Sequence, residues 1–242
     1  MVYIIAGATG VVGSAISKEL AKENEVHLIG RDEEKLSALS KEIDAQYSVI
    51  DLTNTVEQRE FSKIIPDDKE IKGLVNCIGS ILIKPLHGTK TEEFEEVLRV
   101  NLFSSYYLLS SFARRMKNGS AIFFSSVAGT KGLSNHEAIA AAKAGLEGMA
   151  RSAAASYAKD NLRVNVIAPG LMDTNMSQRL LATEQARDRI AIGGNFKATV
   201  AQDFKGIASK VVETVEGYLD KGSVTQKQIY VSAKLVTSGS LK

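Results

Sequence analysis

Three glycines near the amino terminus have the spacing of a turn that binds phosphate. Gly7, Gly10 and Gly13 lie in the segment AGATGVVG, between a short β-branched run and a helical pattern that starts near Val11. The first glycine permits a tight turn, the second lets the backbone approach a pyrophosphate, and the third permits close packing of a helix on a strand. The helix start adds N–H groups and a positive dipole end. A turn that merely needs small residues is the alternative, but the strand–turn–helix context favours a dinucleotide.

The residue after the second predicted strand distinguishes between two dinucleotides. In VHLIGRDEEKL that strand ends near Gly30, and Arg31 follows it. A site specific for NAD needs a carboxylate here, to accept a hydrogen bond from the ribose 2′-hydroxyl. A guanidinium instead binds a 2′-phosphate through two parallel, charge-assisted hydrogen bonds. Arg31 therefore predicts NADP(H), the alternative being an ordinary surface arginine beside the helix N-cap Asp32.

A second group of residues, in the middle of the chain, carries a family resemblance. Ser126 precedes Val-Ala-Gly, Lys143 lies on a predicted helix, and a Pro-Gly turn leads to Thr174. Together with the glycine turn, these residues resemble the short-chain dehydrogenase/reductase family, and the matches extend from the first strand to Met176. The family writes Tyr-x-x-x-Lys, and here the tyrosine position holds Ile139.

The resemblance implies roles for three polar side chains. Carbonyl reduction requires a hydride from the nicotinamide and a proton for the developing alkoxide. By resemblance, Ser126 polarises the carbonyl, Lys143 binds both hydroxyls of the nicotinamide ribose, and Asn101 in RVNLF holds a water that links the lysine to solvent. The family's tyrosine donates the proton, with its pKa lowered by the lysine. The alternative for Lys143 is a solvent-exposed helix lysine.

Ile139 leaves the identity of the proton donor open, because its side chain has no exchangeable proton. Loss of a positioned general acid costs roughly 10²- to 10⁴-fold in rate. His136 lies seven residues before Lys143, which is the Tyr-x6-Lys spacing of the bacterial enoyl-acyl-carrier reductases, and histidine donates protons near neutral pH. An incidental loop histidine is the alternative. Tyr106 and Tyr107 are further donors, although we expect them to pack at a subunit interface.

The same resemblance implies further cofactor-binding positions. It puts Asp51 near the adenine ring, Asn76 below the adenosine as a link between neighbouring strands, and Thr174 against the carboxamide of the nicotinamide. Val11 departs from the family, which has a glycine there in Gly-x-x-x-Gly-x-Gly. The full expected set comprises Gly7, Thr9, Gly10, Val12, Gly13, Arg31, Asp51, Leu52, Asn76, Gly79, Lys143, Pro169, Gly170 and Thr174.

These residues must be positioned by strands and helices that alternate along the chain. Short β-branched runs between longer helical patterns predict βαβ units and a parallel sheet. The expected fold class is α/β, a Rossmann-type, doubly wound, seven-stranded sheet with helices on both faces, in a single domain over residues 1–242. The polar segment 171–199, after the sixth strand, is expected to be a substrate lid. The expected strands are Val2–Ala6, Val26–Ile29, Tyr47–Ile50, Gly73–Cys77, Ala121–Ser125, Arg163–Ile167 and Gln228–Val231.

Composition narrows the class of function. The chain has 242 residues, 44% of them hydrophobic, and its net charge of +2 comes from interspersed charges of both signs. This pattern predicts no nucleic-acid partner, and we expect no metal site. The amino terminus leads at once into VYIIAG, which is too short for a signal peptide or a membrane span. The single cysteine, Cys77, suits a reducing compartment, so we expect a cytoplasmic protein that acts on a small molecule.

The helix predicted from about 138 to 158 is crowded with alanine and glycine. Small side chains let another helix approach closely, so we expect a homodimer or homotetramer; the alternative is simple helix propensity. The leading functional hypothesis is an NADP(H)-dependent reductase of a carbonyl or enoyl group with a non-standard proton donor. The second, motivated by Ile139, is a non-catalytic NADP(H)-binding protein that serves as a redox sensor or an inactive subunit. A scaffold without cofactor is the third.

Overall fold

Six parallel strands form one sheet in the computed structural model, which describes residues 1–54 and 62–170 and the backbone of 199–201 and 234–236. The strands are β1 Val2–Ala6, β2 Glu25–Gly30, β3 Gln46–Val49, β4 Ile71–Asn76, β5 Ser120–Phe124 and β6 Arg163–Ile167. Their order is β3-β2-β1-β4-β5-β6. The strand order reverses between β1 and β4, and open α/β sheets bind ligands in the crevice at such a switch point.

Helices cover both faces of the sheet, and they connect β1 to β2, β2 to β3, β4 to β5 and β5 to β6. They are α1 Val11–Leu20, α2 Glu33–Ile43, α3 Thr91–Leu98, α4 Ser104–Phe112 and α5 Glu137–Ser156. A π-helical turn over Arg99–Phe103 joins α3 to α4. The doubly wound α/β fold expected from the alternation of patterns is therefore confirmed.

The central strands are apolar on both sides because helices bury both faces of the sheet. All five residues of β1 are buried. Ile4 packs in one core cluster with Phe112 of α4 and Leu146 of α5. Ile5 packs in the opposite cluster with Ile16 of α1. The two clusters pack against opposite faces of the sheet. Because its six strands are parallel, their carboxyl ends lie at one edge.

Helix α5 presents a single buried stripe to the sheet, and this stripe positions the predicted lysine. Its buried residues recur at the helical spacing of three and four that aligns side chains on one face. They are Ala138, Ile139, Ala142, Lys143, Leu146 and Ala150. A Cβ on Gly145 would lie only 3.1 Å from the Leu102 side chain, so this glycine lets α5 approach the π-helical turn closely.

Two predictions lie outside the described residues. These are the seventh strand at Gln228–Val231 and the lid at 171–199, apart from the first residue of a short antiparallel pair. That pair consists of β7 Thr199–Ala201 and β8 Lys234–Val236. Within the described part of the chain, no helix is long and apolar enough to span a membrane.

Candidate active site

The turn between β1 and α1 needs glycine at two positions for reasons internal to the protein. Gly7 has a φ of +70°, and a Cβ there would lie 3.0 Å from both the carbonyl carbon of Cys77 and the amide nitrogen of Ile78. A Cβ on Gly13 would lie 2.2 Å from the Gly7 carbonyl oxygen, well inside contact distance. The structure thus gives Gly7 the tight turn and Gly13 the close helix–strand packing predicted for them.

Gly10 differs from the other two glycines because the protein itself leaves room for a side chain there. Its added Cβ would meet the Gly7 carbonyl oxygen at 3.4 Å, an ordinary contact, and the residue is exposed as the N-cap of α1. The first helical bond of α1 runs from Ser14 N–H to the Gly10 carbonyl, at 2.8 Å. The N–H groups of the first turn therefore have no hydrogen-bond acceptor within the helix. Thr9 and Val12 are half-buried beside this turn.

The predicted NADP residue and the predicted adenine residue are partners. Arg31 Nη1 lies 3.6 Å from Asp51 Oδ2, across the ends of β2 and β3. Asp51 Oδ1 also accepts hydrogen bonds from the Thr53 amide at 2.9 Å and from its hydroxyl at 2.7 Å. Although burial alone would raise the pKa of Asp51, these bonds and the Arg31 charge hold it below its usual value. Leu52, by contrast, is buried in the core.

Asn76 ends β4, where its backbone is paired with Ala6 of β1 and Phe123 of β5, while its side chain bonds to a helix. Its Nδ2 donates to Ser105 Oγ at 2.8 Å and to Ser104 Oγ at 3.4 Å, both on α4. Its Oδ1 accepts from Ile78 N–H at 3.0 Å, within the turn that follows β4. The carboxamide therefore ties the strand to the helix behind it, because the side chain leaves the plane of the sheet at this position.

Asn101 lies in the π-helical turn, where its side chain is buried and fully engaged. Its Nδ2 donates to Ser80 Oγ and to the Val97 carbonyl, both at 3.0 Å. Its Oδ1 accepts from Ser80 N–H at 3.1 Å. Single π-helical turns within α-helices frequently mark functional sites. Sequence reasoning missed Ser80, although its position directly after Gly79 was the available signal.

The side chain of Lys143, on α5, is buried against the end of β5. Lys143 is therefore not a solvent-exposed helix lysine. The residue is only 6% exposed, and its Nζ donates to the Phe124 carbonyl at 2.7 Å. A Cβ on Gly79 would lie 3.8 Å from this Nζ and 3.3 Å from Asn101 Oδ1. The fold thus brings together Gly79, Asn101 and Lys143, which come from three separate elements. Burial lowers the pKa of Lys143 to about 8.

Ser126 occupies the rim of the same edge. It is half-buried as the N-cap of a 3₁₀ turn, and its Oγ accepts from Ala128 N–H at 3.2 Å. The next residue, Val127, donates its N–H to the Pro169 carbonyl at 3.0 Å, which joins this turn to the Pro-Gly segment before Gly170. Thr174 lies beyond the described residues.

Ser125 and Glu147 form a contact that sequence reasoning missed. Ser125 Oγ donates to Glu147 Oε1 at 2.7 Å, and so links the end of β5 to α5 one turn after Lys143. Two polar residues four positions apart on α5 therefore meet consecutive residues at the end of β5. This pair of contacts holds the helix in register with the strand.

Ile139 is packed rather than presented to solvent. It is 4% exposed and belongs to an apolar cluster with Val97, Ala128 and Ala142, against which Leu82 and Leu133 also pack. His136, the candidate replacement donor, is the N-cap of α5, and its Nδ1 lies 2.7 Å from the Ser134 carbonyl oxygen. Along the helix it lies seven residues, or roughly 10 Å, before Lys143.

Comparison with known proteins identifies the family. Residues 1–185 match the family model for short chain dehydrogenases. The chain belongs to the short-chain dehydrogenase family. A 3-oxoacyl-(acyl-carrier-protein) reductase of Rickettsia bellii is 32% identical over 183 residues, which cover 73% of this chain and 75% of the relative. Carbonyl reductase family member 4 of Danio rerio is 32% identical over 197 residues, covering 78% of this chain and 83% of the relative.

Solved structures of short-chain dehydrogenases share the architecture. A metagenomic short-chain oxidoreductase in complex with NADP superposes with a TM-score of 0.72 at 29% identity, covering 89% of this chain and 90% of the other. These relatives support membership of the short-chain dehydrogenase family.

Proposed function

We propose that this short-chain dehydrogenase is an NADP(H)-dependent reductase of a carbonyl or conjugated enoyl group on a small molecule, with a non-standard proton donor. The observation that carries the proposal is the convergence of Lys143, Asn101 and Gly79 beside Ser126, at the strand edge that also holds the glycine turn. A buried amine, a fixed carboxamide and a half-buried hydroxyl are the groups needed to orient a carbonyl and manage a proton beside a nicotinamide.

The residues at the ends of β1 and β2 suit a phosphorylated dinucleotide. Gly10 is open on its outer side although no protein contact requires a glycine there, which is expected if a pyrophosphate approaches its backbone. The first turn of α1 contains no acidic residue that would repel a phosphate. Arg31, 72% exposed, is available to a 2′-phosphate. In this proposal, Asp51 and the Asn76–Gly79 turn lie along the adenosine, while Pro169, Gly170 and Thr174 bound the nicotinamide. When bound, the reduced nicotinamide supplies the hydride.

The names of the relatives suggest only a broad class of substrate. The Rickettsia relative reduces a 3-oxoacyl group, and the fish relative is named a carbonyl reductase. An activated carbonyl is therefore the first substrate to test, and segment 171–199 is proposed as the lid that selects it. His136 is one candidate for the missing acid, since it lies at the start of the helix that carries Lys143.

Ile139 favours a second function. An isoleucine packed into an apolar cluster supplies no proton, so this chain is alternatively a non-catalytic NADP(H)-binding protein that acts as a redox sensor or an inactive subunit. An isoleucine at position 139 changes none of the proposed cofactor-binding residues, so the protein would bind NADP(H) without catalysing a reduction.

The test measures turnover and binding separately. The protein is incubated with NADPH and a panel of ketones, 3-oxoacyl thioesters and enoyl thioesters, while cofactor binding is followed by NADPH fluorescence. We expect micromolar binding and turnover of at least one activated carbonyl, and a gain of roughly 10²- to 10⁴-fold in Ile139→Tyr. Tight binding with no turnover in either protein would support the sensor. If NADPH fluorescence does not change, the protein binds no cofactor and only the hypothesis of a scaffold without cofactor remains.

We further propose that the chain forms a homodimer or homotetramer through α4 and α5. Phe103 and Tyr106, at the start of α4, are 40% and 56% exposed, which leaves large apolar surface on this side. Sedimentation velocity should show a dimer or larger, and Tyr106→Glu should shift the protein toward monomer.

We also propose a cytoplasmic location, because the Cys77 thiol, whose pKa burial raises to about 12, has no described cysteine partner.

A further inference from the structure

Lys143 is placed as a proton donor would be, and not only as an anchor for a ribose. Its Nζ is held on one side by the Phe124 carbonyl. Gly79 lies close by, since a Cβ built there would be 3.8 Å from Nζ and 3.3 Å from Asn101 Oδ1. An ammonium group has three N–H donors, and the described protein contacts use one of them. Two donors remain, so that one can bind the ribose while the other reaches a substrate oxygen or a water molecule beside it.

The neighbouring proton-bearing groups are less suitable. Asn101 Nδ2 is occupied by Ser80 and Val97, and an amide does not act as an acid near neutral pH. Ser126 and Ser80 carry alcohols, which donate hydrogen bonds but do not release protons at this pH. His136 lies roughly two helical turns from Lys143, at the outer end of α5.

We propose that the Lys143 ammonium is itself the general acid of the reduction, acting on the substrate oxygen directly or through one water. This inference rests on the proposed function. As a hydride adds to the carbonyl carbon, the π electron pair moves to the oxygen, and that oxygen takes a proton from Nζ. The product is an alcohol and Lys143 is left as a neutral amine. Solvent then returns one proton to the amine, so charge and electrons balance.

The electrostatic environment supports this role. A general acid works best when its pKa lies near the operating pH, and burial lowers the pKa of Lys143 to about 8. On α3, which packs against α5, Glu93 pairs with Lys84 and Glu96 pairs with Arg99.

Further ionisable groups lie on α3, on β6 and on α5 itself. Glu92 and Glu95 on α3 are exposed, as is Glu137 at the start of α5. Arg163 on β6 has a partner, and on α5 itself Glu147 accepts from Ser125 while Arg151 is exposed. The alkaline decline in rate should therefore report Lys143.

The experiment replaces the amine by one of lower pKa. In a Cys77→Ala background, Lys143→Cys is aminoethylated under denaturing conditions and refolded, which restores an amine with sulfur in the chain. We expect reductase activity to return and the alkaline limb of its pH–rate profile to move to lower pH. The matched control is aminoethylated Lys159→Cys, which changes an exposed lysine near the end of α5 and should leave the limb in place.

A measurement on the unaltered chain without cofactor makes the test independent of refolding and of activity. Heteronuclear NMR of dimethylated or isotope-labelled lysines should show one amine titrating near pH 8, and that signal should be missing in Lys143→Met. Titration of Lys143 at an ordinary lysine value overturns the proposal. So does a limb that stays in place after aminoethylation, or one that vanishes in His136→Ala. If the unaltered protein shows no turnover at any pH, the proposed reductase function fails. If turnover occurs together with one of the contradicting results above, only the role of Lys143 as general acid fails.

Discussion

The two sides of the site differ in how they are built. The cofactor side, which comprises the Gly7–Gly13 turn with Arg31 and Asp51, consists mainly of backbone geometry and exposed charge. The reaction side comprises Gly79, the half-buried Ser126 and the buried side chains of Asn101, Ile139 and Lys143, which come from separate elements. On the reaction side, Ile139 has no exchangeable proton and is fixed by apolar packing. Backbone geometry depends little on side-chain identity, whereas the chemistry of the reaction side changes with each residue type.

Gly13→Ala should have the largest effect, because the cofactor side depends on backbone contact. The new methyl group would lie 2.2 Å from the Gly7 carbonyl oxygen, and neither backbone segment is free to move. We expect the free energy of unfolding to fall by about 4 kcal/mol or more, as measured by urea denaturation. Gly132→Ala is the matched control, since nothing lies within 4 Å of its Cβ. A loss below about 1 kcal/mol for Gly13→Ala would show that the turn is pliable.

Ile139→Ala tests whether the reaction side is held by packing. Removing a side chain that is 4% exposed leaves a cavity among Val97, Ala128 and Leu133, at a cost of roughly 2–5 kcal/mol in unfolding free energy. NADPH affinity, measured by fluorescence, should hardly change in the folded protein. Leu86→Ala, at a position 70% exposed, serves as control. A cost below about 1 kcal/mol would show that the neighbouring side chains close around the gap.

His27 lies on β2, the strand that leads to Arg31 on the cofactor side, and should make the fold sensitive to acid. It is buried on β2, with Nε2 2.8 Å from Ser48 Oγ on β3. Burial lowers its pKa from 6.5 to about 4, against a small opposing effect of the Glu25 charge. The unfolded chain thus binds a proton below pH 6.5 that the folded chain does not.

This difference should lower the free energy of unfolding by roughly 3 kcal/mol as the pH falls from 6.5 to 4. The measurement compares urea denaturation of the unaltered protein with that of His27→Gln across this window. Parallel pH curves for the two proteins would show that His27 titrates normally in the folded state.

Arg31→Ala should have the smallest effect on the protein and a selective effect on binding. Loss of charge-assisted bonds to a 2′-phosphate costs roughly 1.5–3 kcal/mol, which is about 10- to 150-fold in NADPH affinity. NADH affinity should stay the same. Arg114→Ala removes an exposed arginine at the end of α4 and is the control. Equal loss for both dinucleotides would argue against a 2′-phosphate contact.

The parts of the fold that follow from local pattern were predicted well. The bounds of β1 and β6 agree with the β-branched runs, and the other four strands are shifted by one or two residues at their ends. Gly7 and Gly13 could be assigned conformational roles, because a tight turn and a close helix leave few residue types possible.

Contacts between distant residues could not be predicted in the same way. The partner of Asn76 on α4, the bond between Ser80 and Asn101, and the bond between Ser125 and Glu147 all join residues more than twenty positions apart. Local spacing carries no information about them, since they depend on how helices settle on the sheet.

The sequence by itself determined the family, the parallel α/β order and the absence of an exchangeable proton on the side chain at Ile139, because each is written in residue type and spacing. Only the tertiary structure decided that Lys143 is a buried amine beside Gly79 and Asn101, and that Ile139 is packed among apolar side chains. Residue type sets which chemistry is available. Burial sets the pKa and the exposure of each group, and burial is a property of the packed chain.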